Sequence, residues 1–111
     1  MRAVGLLTTI ALASLLAGCA KPIAAERAAY VGQWSGGETA LQIRQDGTVD
    51  YKTKDGGVNK SVAAPLKEFI GNDFVVGVGP MSTTFVVSAP SRQADGVWKM
   101  TVDGVELTRA P

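Results

Sequence analysis

From Tyr30 to the C-terminus, apolar and polar side chains alternate with a period of two. The pattern is clear in Leu41–Arg44 and again in Trp98–Val102, where every second side chain is apolar. Such alternation is typical of strands with one buried face, and no window sustains the spacing of an amphipathic helix. The apolar runs predict about eight short strands. They lie at residues 31–35, 38–44, 48–53, 58–66, 73–78, 82–89, 97–102 and 105–109.

Asp-Gly pairs separate many of these runs and begin at Asp46, Asp55, Asp95 and Asp103. Between alternating segments, Asp-Gly is a strong hairpin signal, because a type I′ turn needs positive φ at both central residues. Connections this short join neighbouring antiparallel strands, so we expect an all-β, up-and-down meander. Closure into a small barrel would remove the exposed edges of this sheet. A two-sheet β-sandwich with the same strand order is the alternative.

The N-terminal segment has a different character. Arg2 gives a positive start, an apolar stretch runs from Ala3 to Leu16, and small residues precede Cys19. A positive start, roughly 7–15 apolar residues and a small-residue cleavage site are typical of a secretory signal peptide, here expected to be helical. Such a segment is too short to span a membrane. The sequence Leu16-Ala17-Gly18-Cys19 resembles the lipobox of bacterial lipoproteins.

This resemblance implies cleavage after Gly18 and attachment of acyl chains, such as palmitate, to the thiol of Cys19. Ala20 follows the cysteine, whereas an Asp there usually retains Gram-negative lipoproteins in the inner membrane. We therefore expect a lipid anchor in the outer membrane, facing the periplasm, with another bacterial cell membrane as the alternative. On this interpretation, residues 1–18 are the signal peptide, 19–29 the lipidated cysteine and a tether, and 30–111 the β-barrel domain.

Composition argues against several classes of function. Of the 11 basic residues, Arg2 leaves with the signal peptide, and the remaining ten balance ten acidic residues. A neutral surface of mixed sign predicts no nucleic-acid partner, since phosphates require clustered Lys and Arg. The chain has no histidine, and Cys19 is its single cysteine. We therefore expect no metal site, no cofactor and no catalytic residues, and hence no enzyme.

A second resemblance concerns the ends of the domain. Gly32-Gln33-Trp34 begins the first predicted strand, and Arg109 lies on the last. These residues resemble the signature of lipocalins and their calycin relatives, whose barrel begins with Gly-x-Trp and whose late arginine packs over the tryptophan. The stretch 30–109 is also similar to small bacterial outer-membrane lipoproteins of unassigned function. The resemblance implies that Arg109 lies within roughly 6 Å of the Trp34 ring centre.

Two features are candidates for function. The aromatic side chains either line a ligand site or fill the core, and small eight-stranded barrels have room for little besides side chains. The uncharged turn around Gly79, Pro80 and Met81 is a candidate tip for touching a partner or a membrane. The sequence therefore predicts a membrane-anchored module that binds an envelope partner, with these three residues, Trp34 and Arg109 as possible contacts. A lipocalin-like carrier of a small apolar ligand is the alternative.

Overall fold

The computed structural model describes residues 21–111. The expected signal-peptide helix and Cys19 therefore lie outside the described residues. A 3-10 helix, η1 (Ala25–Tyr30), precedes nine strands in this part of the chain. The strands are β1 (Gly32–Gly36), β2 (Thr39–Ile43), β3 (Thr48–Asp55), β4 (Val58–Ile70), β5 (Asp73–Val78), β6 (Met81–Phe85), β7 (Val87–Ala94), β8 (Val97–Val102) and β9 (Val105–Arg109).

The nine strands form a single antiparallel sheet in the order β6-β5-β4-β3-β2-β1-β9-β8-β7. The predicted all-β meander is confirmed, and β1 pairs with both β2 and β9, so the first and last strands are neighbours. The sheet curls into a half-barrel but does not close, because β6 and β7 remain its two end strands. The closed barrel was therefore a wrong prediction, and the alternative of two separate sheets does not describe this single sheet either.

The predicted strand 82–89 is two strands, and the reason lies in long-range hydrogen bonds. The backbone N–H of Val86 donates to the carboxylate of Asp103 at 2.8 Å, and the N–H of Asp103 donates to the carbonyl of Val86 at 2.7 Å. The next N–H, from Val87, donates to the carboxylate of Asp73 at 2.8 Å. These bonds hold the chain where it passes from one end of the sheet to the other. The alternation of buried and exposed residues continues through this corner, so the sequence pattern shows no break.

Strand β4 is longer than the predicted 58–66, because it pairs with two different strands. Its residues 58–65 pair with β3, whereas Leu66 and the residues after it pair with β5. The register shifts between Leu66 and Glu68, next to Pro65, which has no N–H to donate. This irregular point separates the outer strands β5 and β6 from the middle of the sheet.

The Asp-Gly turns have the expected geometry in two of four places. Asp95-Gly96 and Asp103-Gly104 have positive φ at both residues, as a type I′ turn requires. At 55–57 the two turn residues are instead Gly56 and Gly57, since Asp55 still pairs with Val58 in the β-ladder. In the loop at Asp46 the carboxylate accepts bonds from the N–H and hydroxyl of Thr48. Three of the four turns thus have two successive residues of positive φ, although in one of them the pair is Gly56-Gly57 instead of Asp-Gly. In the fourth, the short carboxylate of Asp46 stabilises a different turn.

The core lies inside the curl and receives side chains from every strand except the exposed part of β6. Along β2 each second residue is buried, as the alternation predicted, and in β1 Trp34 is buried between two exposed neighbours. The largest side chains with less than 2% exposure are Trp34, Phe74, Phe85, Leu41, Ile43, Met100, Leu107, Val49, Val76 and Val102. Burying a side chain of this kind stabilises the fold by about 1.5–3 kcal/mol each.

The segment before β1, predicted to be a tether, packs against the sheet from Ile23 onwards. The side chain of Ile23 is 6% exposed and belongs to the core. Its backbone N–H donates to the carbonyl of Gln45, whose side-chain amide donates back to the carbonyl of Ile23, both at 2.9 Å. Further along, the guanidinium carbon of Arg27 lies 4.4 Å from the ring centre of Phe69. The folded part of the chain therefore extends N-terminally of Tyr30.

Candidate interaction surface

Trp34 and Arg109 meet where the first and last strands pair. The two residues are direct partners in the register of β1 and β9. The guanidinium carbon of Arg109 lies 5.9 Å from the centre of the Trp34 ring and 5.0 Å from that of Trp98 on β8. Both distances are within the roughly 6 Å typical of a cation–π contact. Arg109 thus links three neighbouring strands through two indoles.

Gly32 makes room for this contact. A Cβ atom at this position would collide with the side-chain carbons of Arg109, and Gly32 has φ of +147°. The indole N–H of Trp34 donates to the carbonyl of Tyr30 at 2.9 Å, and Arg109 donates to the carbonyl of Val31 at 3.3 Å. Because Trp34 is 0% exposed, we assign it a structural role. A partner at this end would reach only the half-buried Arg109.

The aromatic residues pack against one another in the interior. The ring centres of Phe74 and Phe85 are 5.1 Å apart, and those of Tyr51 and Phe85 are 4.8 Å apart. At one end of this cluster the ring of Tyr30 contacts Phe69 at 4.9 Å. Such pairs lie in the range of 4.5–7 Å at which aromatic rings stabilise each other. The geometry is that of a packed core.

Strand β6 is an end strand without any of the usual protection. It pairs only with β5, and its side chains from Met81 to Thr84 are exposed. The chain carries no charged side chain from Phe74 to Ser91, so β6 and the residues of β5 that pair with it are uncharged. Natural sheets usually blunt such edges with lysines, prolines or bulges, because unpaired backbone groups can pair with another chain. Within β6 none of these features is present.

The other end strand, β7, is protected. Pro90 lies within it, and its register with β8 shifts twice between Val87 and Arg92. The hydroxyl of Ser91 donates to the carbonyl of Ala29 at 2.7 Å, so η1 packs beside this strand. Proline, irregular pairing and a covering segment each hinder the addition of a further strand. The open seam of the half-barrel therefore has one protected and one unprotected edge.

The turn between β5 and β6 exposes apolar side chains. Val78 is 66% and Met81 76% exposed, and Gly79 and Pro80 between them are also exposed. The ammonium group of Lys67 donates to the carbonyl of Gly79 at 2.9 Å. An open groove of about 460 Å³ borders this turn. The groove is lined by Lys21, Pro65, Leu66, Lys67, Gly77, Val78 and Gly79.

The titratable groups with shifted pKa values are explained by their local surroundings. Burial raises the pKa of Tyr30, whose hydroxyl donates to the carbonyl of Asn72 at 2.9 Å. The two hydrogen bonds from Thr48 lower the pKa of Asp46, which is fully exposed. Residues 21–111 contain no group of three or more His, Cys, Asp and Glu side chains placed to hold a metal ion. In the same residues no helix is long and apolar enough to cross a membrane.

The residues singled out in the sequence fall into two separate places. Trp34 and Arg109 come together, whereas Gly79, Pro80 and Met81 lie at the β5–β6 turn, and three strands separate β5 from β1 in the sheet. Sequence reasoning missed the unprotected edge of β6, although the uncharged run 74–91 is a signal for it. Comparison of the chain with family models, curated proteins and solved structures gives no match.

Proposed function

We propose that this chain is a lipoprotein anchored in the bacterial outer membrane through Cys19, and that it binds a protein partner of the envelope along the free edge of β6. The sequence Leu16–Cys19 supports the anchor, because its small residues end an apolar stretch directly before the cysteine. The unprotected edge of β6 carries the binding proposal.

The recognition mode is the addition of a strand. An extended segment of the partner pairs its backbone N–H and carbonyl groups with the outward-facing groups of β6, and side-chain contacts on the two faces add specificity. The exposed side chains of β6 are Met81, Ser82, Thr83 and Thr84, which offer one thioether and three hydroxyl groups. We therefore propose an extended, uncharged partner segment that contains both hydroxyl-bearing and apolar residues.

The alternative, a lipocalin-like carrier, is less favoured. A carrier needs an apolar cavity of roughly 300–1,000 Å³ that encloses its ligand. Phe74, Phe85 and Met100 occupy the inside of the curl together with the other core side chains. The groove of about 460 Å³ beside the β5–β6 turn is open at the surface. These features support an interaction module.

The anchor is tested with two substitutions in a Gram-negative host. Cys19→Ser removes the thiol, so we expect loss of labelled palmitate from the protein and loss of cleavage at this site. Ala20→Asp is the matched control: it keeps the cysteine, so palmitate stays while the protein moves to the inner-membrane fraction. Labelled palmitate on the Cys19→Ser variant would refute the lipoprotein assignment.

The binding edge is tested by photo-crosslinking in cells from a probe at Ser82. We expect a defined crosslinked product that disappears in a Thr84→Lys variant, because a charged edge opposes strand addition. Ser35→Lys is the matched control, since Ser35 is also exposed but β1 is paired on both sides. A product that survives Thr84→Lys, or one lost equally in both variants, argues against binding at β6. A product made of two copies of this chain also argues against an envelope partner.

A further inference from the structure

The docked N-terminal segment fixes where the lipid anchor leaves the folded domain. Ile23 is held by its two hydrogen bonds with Gln45, and the carbonyl of Lys21 lies against Gly47, where a Cβ atom would collide with it. Two residues further back in the sequence is Cys19. An extended chain spans at most about 3.6 Å per residue, so the chain connection alone limits the distance between the Cα atoms of Cys19 and Lys21 to about 7 Å. A lipid on Cys19 would therefore hold the face around Lys21 close to the bilayer.

The exposed β5–β6 turn lies at this same face. Lys21 lines the same groove as Gly77, Val78 and Gly79 of this turn. The large apolar side chains of the turn, Val78 and Met81, are both exposed. Exposed apolar groups of this kind mark contact sites with proteins or membranes.

The charges around the groove suit an anionic lipid surface. Lys21 and Lys67 line it, and no acidic residue does. Glu68 follows Lys67 at the register shift of β4 and does not line the groove. Lysine stems lie along apolar surface while their ammonium groups reach the level of lipid headgroups. An apolar tip flanked by lysines is therefore complementary to the interface of a bilayer.

We infer that the turn formed by Val78, Gly79, Pro80 and Met81 inserts into the bilayer that holds the lipid on Cys19, with Lys21 and Lys67 at its anionic headgroups. This inference rests on the lipid anchor proposed above. It means that the domain has one fixed orientation on the membrane instead of swinging on a tether. The β4–β5 turn at Ile70 then points away from the membrane, since β5 carries the chain about 17 Å from Asp73 beside Ile70 to the β5–β6 turn.

Insertion is measured with a nitroxide spin label on the acylated protein, purified from membranes and reconstituted into vesicles of phosphatidylethanolamine and phosphatidylglycerol. Acylation occupies the single native thiol, so Met81→Cys provides a unique labelling site. Ile70→Cys is the matched control, because Ile70 is an exposed apolar residue, 57% against 76% for Met81, at the opposite end of the β4–β5 hairpin. We expect the label at Met81 to collide severalfold more often with oxygen than with a water-soluble nickel complex, and the label at Ile70 to show the reverse. Adding Lys67→Glu should reduce this oxygen preference at Met81.

The outcomes separate this inference from the proposed function. Mass spectrometry of the same preparation shows whether Cys19 is acylated, and an unmodified Cys19 refutes the anchor itself. If the protein is acylated and the label at Met81 is as accessible to nickel as the label at Ile70, insertion is refuted while the anchor stands. Protection of Met81 in native membranes but not in pure-lipid vesicles would show that a protein covers the turn, which also overturns the inference.

Discussion

Arg109 should stabilise the domain through its two indoles, and the size of the effect follows from the geometry. Its guanidinium carbon lies 5.0 Å from the ring centre of the half-buried Trp98 and 5.9 Å from that of the buried Trp34. Cation–π contacts contribute about 0.5–2 kcal/mol, depending on distance and burial. We expect a coupling energy of about 1 kcal/mol between Arg109 and Trp98, and about 0.5 kcal/mol between Arg109 and Trp34 at the longer distance.

Double-mutant cycles measure both couplings. Arg109→Met removes the guanidinium and keeps an aliphatic stem beside Gly32, and it is combined with Trp98→Leu in one cycle and Trp34→Phe in the other. The free energies of unfolding come from urea titrations followed by circular dichroism. Trp34→Phe alone should cost about 1–3 kcal/mol, because it leaves the buried carbonyl of Tyr30 without its donor.

The control cycle pairs Trp34→Phe with Arg44→Met. Arg44 forms its ion pair with Asp50, away from both indoles, so the two changes should be additive within about 0.5 kcal/mol. Arg109→Lys in place of Arg109→Met tests geometry, since an ammonium group lacks the planar face that stacks on an indole. Couplings near zero in both Arg109 cycles would refute the view that this arginine joins β1, β8 and β9.

Two further predictions concern turns. Gly104→Val should lower the free energy of unfolding by about 1–3 kcal/mol, because Gly104 has φ of +82° and a β-branched residue resists this conformation. No atom crowds the site, so the control Gly104→Asn should cost much less. Equal melting temperatures for the wild type and both variants would contradict this prediction. The pKa of Asp46 is below its ordinary value of 3.8, so its stabilising effect is present above that pH and is lost as the pH falls through the lowered pKa. Thr48→Ala removes the hydroxyl bond and should raise the pKa of Asp46 in an NMR titration, whereas an unchanged value would show that the bond has no influence.

The strands were predictable because their signals are local. A strand with one buried face needs only that every second residue be apolar, and Leu41, Ile43 and Met100 satisfy this within their own segments. The turn at Asp103-Gly104 is equally local, since positive φ is a property of two adjacent residues. The contact of Arg109 with Trp34 could be expected only through the resemblance of Gly-x-Trp to a known signature.

The open seam was decided by tertiary contacts. Asp103 and Val86 are 17 residues apart, and Asp73 and Val87 are 14 apart, so nothing near Val86 in the sequence indicates that the strand ends there. The carboxylates of Asp103 and Asp73 accept the backbone N–H groups of Val86 and Val87, where β6 ends and β7 begins. The sequence of a turn does not indicate which distant backbone N–H group its carboxylate will bind.

The packing of the segment before β1, which forms part of the candidate membrane face, could not be predicted from the sequence either. Ala24 to Ala29 has good helix propensity but gives no indication of what it packs on. Ile23 is a single large apolar residue between Pro22 and Ala24, so no periodic pattern marks it as buried. Its backbone is held by hydrogen bonds to Gln45, which lies 22 residues further along the chain. The sequence by itself determined most of the strands, the turns that need glycine and the resemblance to a lipobox, because each depends on neighbouring residues. The free edge of β6 and the position of the β5–β6 turn beside Lys21 depend on the tertiary structure. They arise from residues that are distant in the sequence and come into contact only when the sheet has curled.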